Sequence, residues 1–228
     1  RKGSAKNVKA SAVLIATGAM ERPMPIPGWT LPGVMSVGAA QILLKTSGSG
    51  ADDAVFVGSG PLFYLTVWQY LQAGFGVSAV VDTAPARMRP EHYLTAIPAL
   101  MQPMLLLKGL RWRAEIRRKT EYYAGATSLV ISGEDSATGV TFQDTTGRTQ
   151  NIPTKHVFIH QGVVPNVNLT MATDLQHQWH PRQLCWVPKT DMFGKSSVEG
   201  IFVAGDGMGI AGAAAAASSG RLAARRII

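Results

Sequence analysis

Gly58, Gly60 and Asp82 have the types and the spacing to hold a dinucleotide. The glycines stand in Val55-Phe56-Val57-Gly58-Ser59-Gly60-Pro61-Leu62-Phe63, and Asp82 follows 22 residues after Gly60. The first glycine permits a tight strand-to-helix turn. The second lets backbone N–H groups approach a pyrophosphate at the positive end of a helix. An acid about 20 residues on accepts hydrogen bonds from an adenosine ribose, and its charge disfavours the extra phosphate of NADP. Arg87 and Arg89 lie close by and pull the other way. The third glycine of such a fingerprint is replaced by Phe63, at a position where small size normally allows close helix–strand packing. A retained scaffold with an empty or altered pocket is the other reading of the same residues.

For those residues to act, a strand over residues 54–57 must feed a helix over residues 61–73, followed by a strand over residues 77–81. Pro61 suits the first helical position, where its missing N–H costs nothing. Gly74 and Gly76 end the helix. A second constellation flanks this unit. Ala16-Thr17-Gly18 ends a β-branched run over residues 11–17 that reads as a buried strand. Residues 201–204 read as another buried strand, ending at Gly205-Asp206. Gly207, Gly209 and Gly212 let backbone come close to a ligand, and the alanines over residues 213–217 favour a helix. A strand, turn and helix with no ligand is the plain alternative.

The intervening chain supplies further expectations. Prolines and glycines over residues 23–33 forbid regular structure and suggest a stiff crossover. Ser36 is placed to cap a helix running to about Lys45. Residues 90–119 carry a helical pattern with a break near Pro103. Short strands over residues 122–123, 128–131, 140–142, 149–152 and 157–160, with glycines between or beside them, read as an antiparallel meander. Residues 161–166 form a turn-rich crossing, and residues 176–186 an irregular hairpin. The alternation of helices and strands places the chain in the α/β class.

Composition excludes several functions. The 228 residues are 46% hydrophobic and 16% charged, as expected of a folded globular chain and not a disordered one. No stretch is long and apolar enough for a transmembrane segment. The net charge of +8 is concentrated in Arg111, Arg113, Arg117, Arg118 and Lys119. One short basic run reads as a solvated helix face, with an anion or acidic-partner patch as the alternative, and no nucleic acid partner is expected. Cys185 is the only cysteine, which excludes an internal disulfide and a Cys-x-x-Cys metal or redox motif. It reads as a buried packing thiol. His160, His177 and His180 are the tempting acid–base groups. A structural role is expected for each, although His160 precedes a crossing where it could approach a cofactor.

In sequence order, Ala-Thr-Gly (Ala16 to Gly18), Pro-x-Pro-Gly (Pro25 to Gly28), the glycine fingerprint, Gly-x-x-Pro-Asn (Gly162 to Asn166) and Ala-Gly-Asp (Ala204 to Asp206) cover nearly the whole chain. This order resembles the pyridine nucleotide-disulfide oxidoreductase-like flavoproteins. The resemblance implies two Rossmann-like dinucleotide-binding domains, the NAD(P)-type one inserted in a partial FAD domain. The expected boundaries are residues 1–22 and 166–228 for the FAD domain and 23–165 for the insert. It implies FAD against Ala16, Thr17, Gly18, Gly205 and Asp206, with NAD(P) admitted at Gly58, Gly60 and Asp82. The chain begins at Arg1, not Met, so it reads as a fragment whose first FAD fingerprint lies upstream and which binds FAD poorly alone. The thioredoxin-reductase cysteine pair is absent from the insert.

Residues 23–34, Gly-Ser-Gly-Pro-Leu and Gln161 to Asn166 look most like the branch with opine oxidase, hydrogen cyanide synthase and amino-acid dehydrogenase flavoprotein subunits. That resemblance implies an FAD-dependent dehydrogenase of an amine or amino-acid-like small molecule. It would pass electrons to a partner subunit or carrier, in the cytoplasm or held at a membrane through that partner. The alternatives that remain open are an NAD(P)H-dependent flavin reductase and a non-catalytic assembly subunit.

Overall fold

A computed structural model describes residue 3, residues 5–85 and residues 103–228. Three short strands come first: β1 (Val13–Ile15), β2 (Ala19–Glu21) and β3 (Val34–Ser36). Helix α1 (Val37–Ser47) leads to β4 (Ala54–Gly58), α2 (Pro61–Gln72) and β5 (Val77–Asp82). After α3 (Pro103–Lys119) come β6 (Glu121–Ala124), β7 (Thr127–Gly133), β8 (Ala137–Gln143), β9 (Thr149–Pro153), β10 (Val157–His160) and β11 (Val163–Pro165). Then follow α4 (Asn168–Ala172), β12 (His177–His180), β13 (Cys185–Pro188), β14 (Ile201–Val203), a 3₁₀ turn (Gly205–Met208) and α5 (Ala213–Ile227). These elements fall into two compact units, a continuous one of residues 21–162 and a discontinuous one of residues 1–20 with 163–228.

The continuous unit is built on a five-stranded sheet in the order β3-β10-β4-β5-β6. All its pairings are parallel. Every residue of β4 and β10 is buried, as expected when both faces of a parallel sheet are covered. Alternation along the strands sorts the core into two layers. Phe56, Val80 and Phe158 face the helices, where they meet Val37, Phe63, Val67, Tyr70 and Ile116. Val55, Val57, Val81 and Ile159 cluster instead with Ile131, Val140, Phe142 and Ile152 of the antiparallel meander β7-β8-β9. Edge-on ring contacts centre the helical layer: Phe56 lies 6.4 Å from Phe63, 5.2 Å from Tyr70 and 5.0 Å from Phe158. Each such pair is worth about 0.5–1.5 kcal/mol beyond its buried area.

Ser36 caps α1 as its type predicts: its Oγ accepts from Ala39 N at 3.2 Å. The helix ends at Gly48 in the left-handed conformation, φ 63°. Other expectations are corrected. β6 and β10 are not meander strands; they join the parallel sheet. Their signal was the unbroken apolar run of β10, which an alternating half-buried strand does not show. β3 was hidden by its length, three residues directly after a proline–glycine loop. Among the described residues, α3 begins at Pro103, where a break was expected. The earlier part of that helical pattern, with Arg87 and Arg89, lies outside the described residues.

In the discontinuous unit, β1 and β14 pair in parallel with Val13 opposite Ile201. β2 pairs with β11, and β12 with β13. Ile15, Leu175 and Val203 form the core of this unit. The strand expected over residues 11–17 is regular only over Val13–Ile15, and of these only Ile15 is buried. Its one neighbour among the described strands is β14, so the residues flanking Ile15 have little to pack against. No helix among the described residues is long and apolar enough to cross a membrane.

Candidate functional site

The parallel register places Gly58 opposite His160. A Cβ on Gly58 would stand 2.0 Å from the His160 carbonyl oxygen, and φ is +143°. Only glycine fits there, because β10 passes too close for any side chain. Ser59 N then donates to the same carbonyl at 3.3 Å. Gly60 also has positive φ, +108°, but faces open space. It is the N-cap of α2 and offers no side-chain cap, so the first N–H groups of the helix have no acceptor of that kind. Asp82 sits beside this turn, paired in register with Gly58. Thr83 N donates to Gly58 O at 3.0 Å.

Asp82 is 1% exposed, and its oxygens are already engaged. Tyr64 OH donates to Oδ2 at 2.6 Å, Tyr122 OH donates to the same oxygen, and Ala84 N donates to Oδ1 at 2.9 Å. Arg113 Nη2 adds its charge 3.7 Å from Oδ2 and donates to Tyr122 OH at 3.4 Å. Hydrogen bonds to a charged group contribute about 1.5–3 kcal/mol each. Burial, and then the bond to Asp82, push the Tyr64 hydroxyl well above its ordinary range and raise that of Tyr122. They are therefore donors at any physiological pH. The residues present at Asp82 do not fit an adenosine ribose, whose hydroxyls would need the same oxygens.

Arg111, Arg117, Arg118 and Lys119 of the basic run are exposed, as a solvated face predicts, and Arg113 is half-buried. The Arg113 guanidinium lies 5.0 Å from the Tyr64 ring centroid and that of Arg117 4.6 Å from the Tyr122 ring. Arg113 Nε is buried with no hydrogen-bond partner. Lys119 pairs with Glu115 at 2.9 Å, and Glu115 also accepts from Trp68 Nε1 and Gln72 Nε2, both at 2.8 Å. These donors, Lys119 first, hold the Glu115 carboxyl down at about 2. Phe63, in place of the fingerprint's third glycine, is fully buried.

His160 is 3% exposed, and its Nδ1 lies 2.6 Å from Glu21 Oε1. Glu21 Oε2 accepts from Gly38 N at 2.8 Å, in the first turn of α1. Burial raises the Glu21 carboxyl, but bonds from His160 and Ser36, the His160 charge and the Gly38 N–H outweigh it and leave the pKa lowered. The pair anchors the sheet end and the start of α1, a structural role.

The discontinuous unit brings its motifs together. Thr17 Oγ1 donates to Asn166 O at 2.8 Å, and Asn166 N donates to Gly18 O at 2.9 Å. Ala16 is exposed beside them. A Cβ on Gly207 would lie 3.4 Å from Thr17 Oγ1, so the turn after β14 packs against this knot. Gly205 N donates to Ser219 Oγ at 2.9 Å. Asp206 Oδ1 accepts from Ala211 N at 3.2 Å and Gly212 N at 3.3 Å. Gln183 exchanges two bonds with Ile210, at 2.8 Å and 2.9 Å, and so pins the loop before α5. The backbone at Gly205, Gly209 and Gly212 has positive φ, 73°, 148° and 88°. α5 follows its N-cap Gly212 with no side-chain cap, in exposed surroundings. A half-exposed carboxylate, a glycine-lined loop and a helix start without a side-chain cap fit a flavin dinucleotide.

The other candidates are structural. His177 Nδ1 lies 2.7 Å from Leu175 O and its Nε2 2.9 Å from Thr170 Oγ1. His180 Nδ1 accepts from Gln183 N at 3.2 Å. Cys185 is buried. Among the described residues, no group of three or more His, Cys, Asp or Glu could hold a metal ion. Tyr64, Tyr122, Arg113, Glu21 and Gln183 carry much of the local chemistry, and sequence reasoning gave none of them such a role.

Comparison with known proteins gives three kinds of match. The pyridine nucleotide-disulphide oxidoreductase family model matches residues 1–220. An opine oxidase subunit of Rhizobium meliloti is 45% identical over 223 residues, a match covering 97% of this chain and 42% of that protein. Hydrogen cyanide synthase subunit HcnB of Pseudomonas aeruginosa is 31% identical over 235 residues, covering 97% of this chain and 49% of that protein. The chain thus spans less than half the length of these two relatives. Among solved structures, thioredoxin reductase of Lactococcus lactis matches in fold with a TM-score of 0.65 at 20% identity, covering 95% of this chain and 64% of that one.

Proposed function

Because this chain belongs to the pyridine nucleotide-disulphide oxidoreductase family of flavin-dependent oxidoreductases, we propose that its full-length protein is an FAD-dependent dehydrogenase subunit. Its substrate is an amine or amino-acid-like small molecule, and its electrons leave to a partner subunit or carrier. The observation that carries this reading is the 45% identity with the opine oxidase subunit. Members of the family bind FAD and use NAD(P). FAD, when bound, supplies a two-electron acceptor.

This chain's residues hold and polarise that acceptor. Asp206 would accept from ribityl hydroxyls, while the Ala16-Thr17-Gly18 segment and Gly205 would give the backbone its close approach. The N-terminus of α5 would offer its positive dipole to the bound flavin. Asp82 adds support from the other unit, since its engaged carboxylate gives nicotinamide nucleotides no ribose acceptor there. The reading carries a cytoplasmic location, at a membrane only through a partner.

The test is anaerobic titration of the intact protein while the flavin band is followed. Bleaching by an opine or amino acid is the expected result. A yellow protein that no member of an opine, amine and amino-acid panel bleaches sinks the proposal. The retained Gly58-Ser59-Gly60 turn favours a second reading, an NAD(P)H-dependent reductase, which stoichiometric bleaching by NADH or NADPH would establish.

A further inference from the structure

We propose that the continuous unit is closed to nicotinamide dinucleotides, and that Tyr64, Tyr122 and Arg113 are the residues that close it. The two tyrosine hydroxyls occupy the same Asp82 oxygen and donate to it as ribose hydroxyls would. They arrive from two elements. Tyr64 lies in the first turns of α2, immediately after the fingerprint. Tyr122 lies on β6, two positions before the residue paired with Asp82 and so on the same face of the sheet. Arg113, from α3, neutralises the carboxylate that would otherwise seek a ligand. It also donates to Tyr122 and stacks on Tyr64, so the lock is itself held in place.

Two further observations agree. Phe63 turns the position of the third glycine into core, with a fully buried ring edge-on to Phe56. The glycine turn survives for a reason that needs no ligand, the approach of the His160 carbonyl to Gly58. An occupied acceptor discriminates strongly, because an entering ribose must break charge-assisted bonds and leave the displaced phenols without partners. The consequence is specificity. A flavin fed by an organic substrate is insulated from reduction by NADH.

The inference stands on the Asp82 geometry and not on the identity of the substrate. Its test is therefore equilibrium binding, which needs no turnover. Radiolabelled NADH and NADPH are dialysed against the full-length protein up to roughly 1 mM, the top of the ordinary range for enzyme substrates. No saturable binding is expected. Saturable binding by the wild-type protein overturns the proposal outright. The double variant Tyr64→Ala/Tyr122→Ala is expected to bind NADH saturably, and a folded double variant that does not bind overturns the assignment to these residues. Should that variant fail to fold, Tyr64→Phe/Tyr122→Phe, which keeps both rings and removes both hydroxyls from Asp82, carries the same two outcomes.

Discussion

His160 Nδ1 lies 2.6 Å from Glu21 Oε1, joining residues 139 positions apart in the sequence. The same carboxylate holds Gly38 N, so one side chain satisfies both a buried imidazole and a helix start. Glu21→Ala leaves both without a partner and is expected to cost about 2–3 kcal/mol. Because the folded carboxyl titrates below its ordinary 4.5, its contribution is full above that pH and is lost as pH falls through the lower folded value. Denaturant midpoints of wild type and variant should therefore differ most near neutrality and converge in acid.

The two phenols on Asp82 make the opposite prediction at the other end of the scale. Their pKa values are raised above the ordinary 10.0. A raised folded value means stability that is intact below pH 10.0 and is lost as pH climbs above it. In an ultraviolet titration, Tyr64 and Tyr122 should stay protonated past the point where free tyrosine ionises. Tyr64→Phe should reduce the late-titrating phenolate signal.

Restoring the fingerprint glycine with Phe63→Gly should not restore a function. It empties a fully buried ring position, which costs about 3–5 kcal/mol, with about 1 kcal/mol more for glycine in a helix. The unfolding midpoint in urea should drop sharply.

The two glycines of the turn should respond unequally to alanine. Gly58→Ala sets a Cβ 2.0 Å from a backbone oxygen, whereas at Gly60 the Cβ meets nothing within 4 Å. Gly58→Ala should yield little soluble protein. Gly60→Ala should fold with a loss of about 1–3 kcal/mol from backbone strain alone, read as a thermal midpoint lower by several degrees.

Asp206→Ala in the full-length protein should lower bound flavin per polypeptide after purification, measured from the ratio of visible to ultraviolet absorbance. Retention of full flavin content would remove Asp206 from the cofactor site.

Legibility followed sequence distance. The strand, turn and helix around Gly58, the Ser36 cap and the β14 turn are local patterns, and each was readable from consecutive residue types. The Asp82 cluster was not, because Tyr64, Tyr122 and Arg113 reach one carboxylate from positions 18, 40 and 31 residues away. Nothing in the local pattern around Tyr122 says which partner it will find. The Glu21–His160 pair was hidden for the same reason. The parallel placement of β10 was legible in principle from its four consecutive buried residues, but the hairpin signals of its neighbours in sequence outweighed it.

β10 lies between β3 and β4 in the sheet, although it follows both by about a hundred residues of chain. A ribosome emits β3 and β4 long before the strand that must separate them. Until residue 160 emerges, the nascent chain carries a gap edged by two unpaired strands, the kind of edge that invites wrong pairing. Local units such as β4-α2-β5 can assemble early, while closure of the gap waits for a contact of high sequence separation. The order of synthesis therefore leaves these two strand edges open until late insertion of β10 closes them.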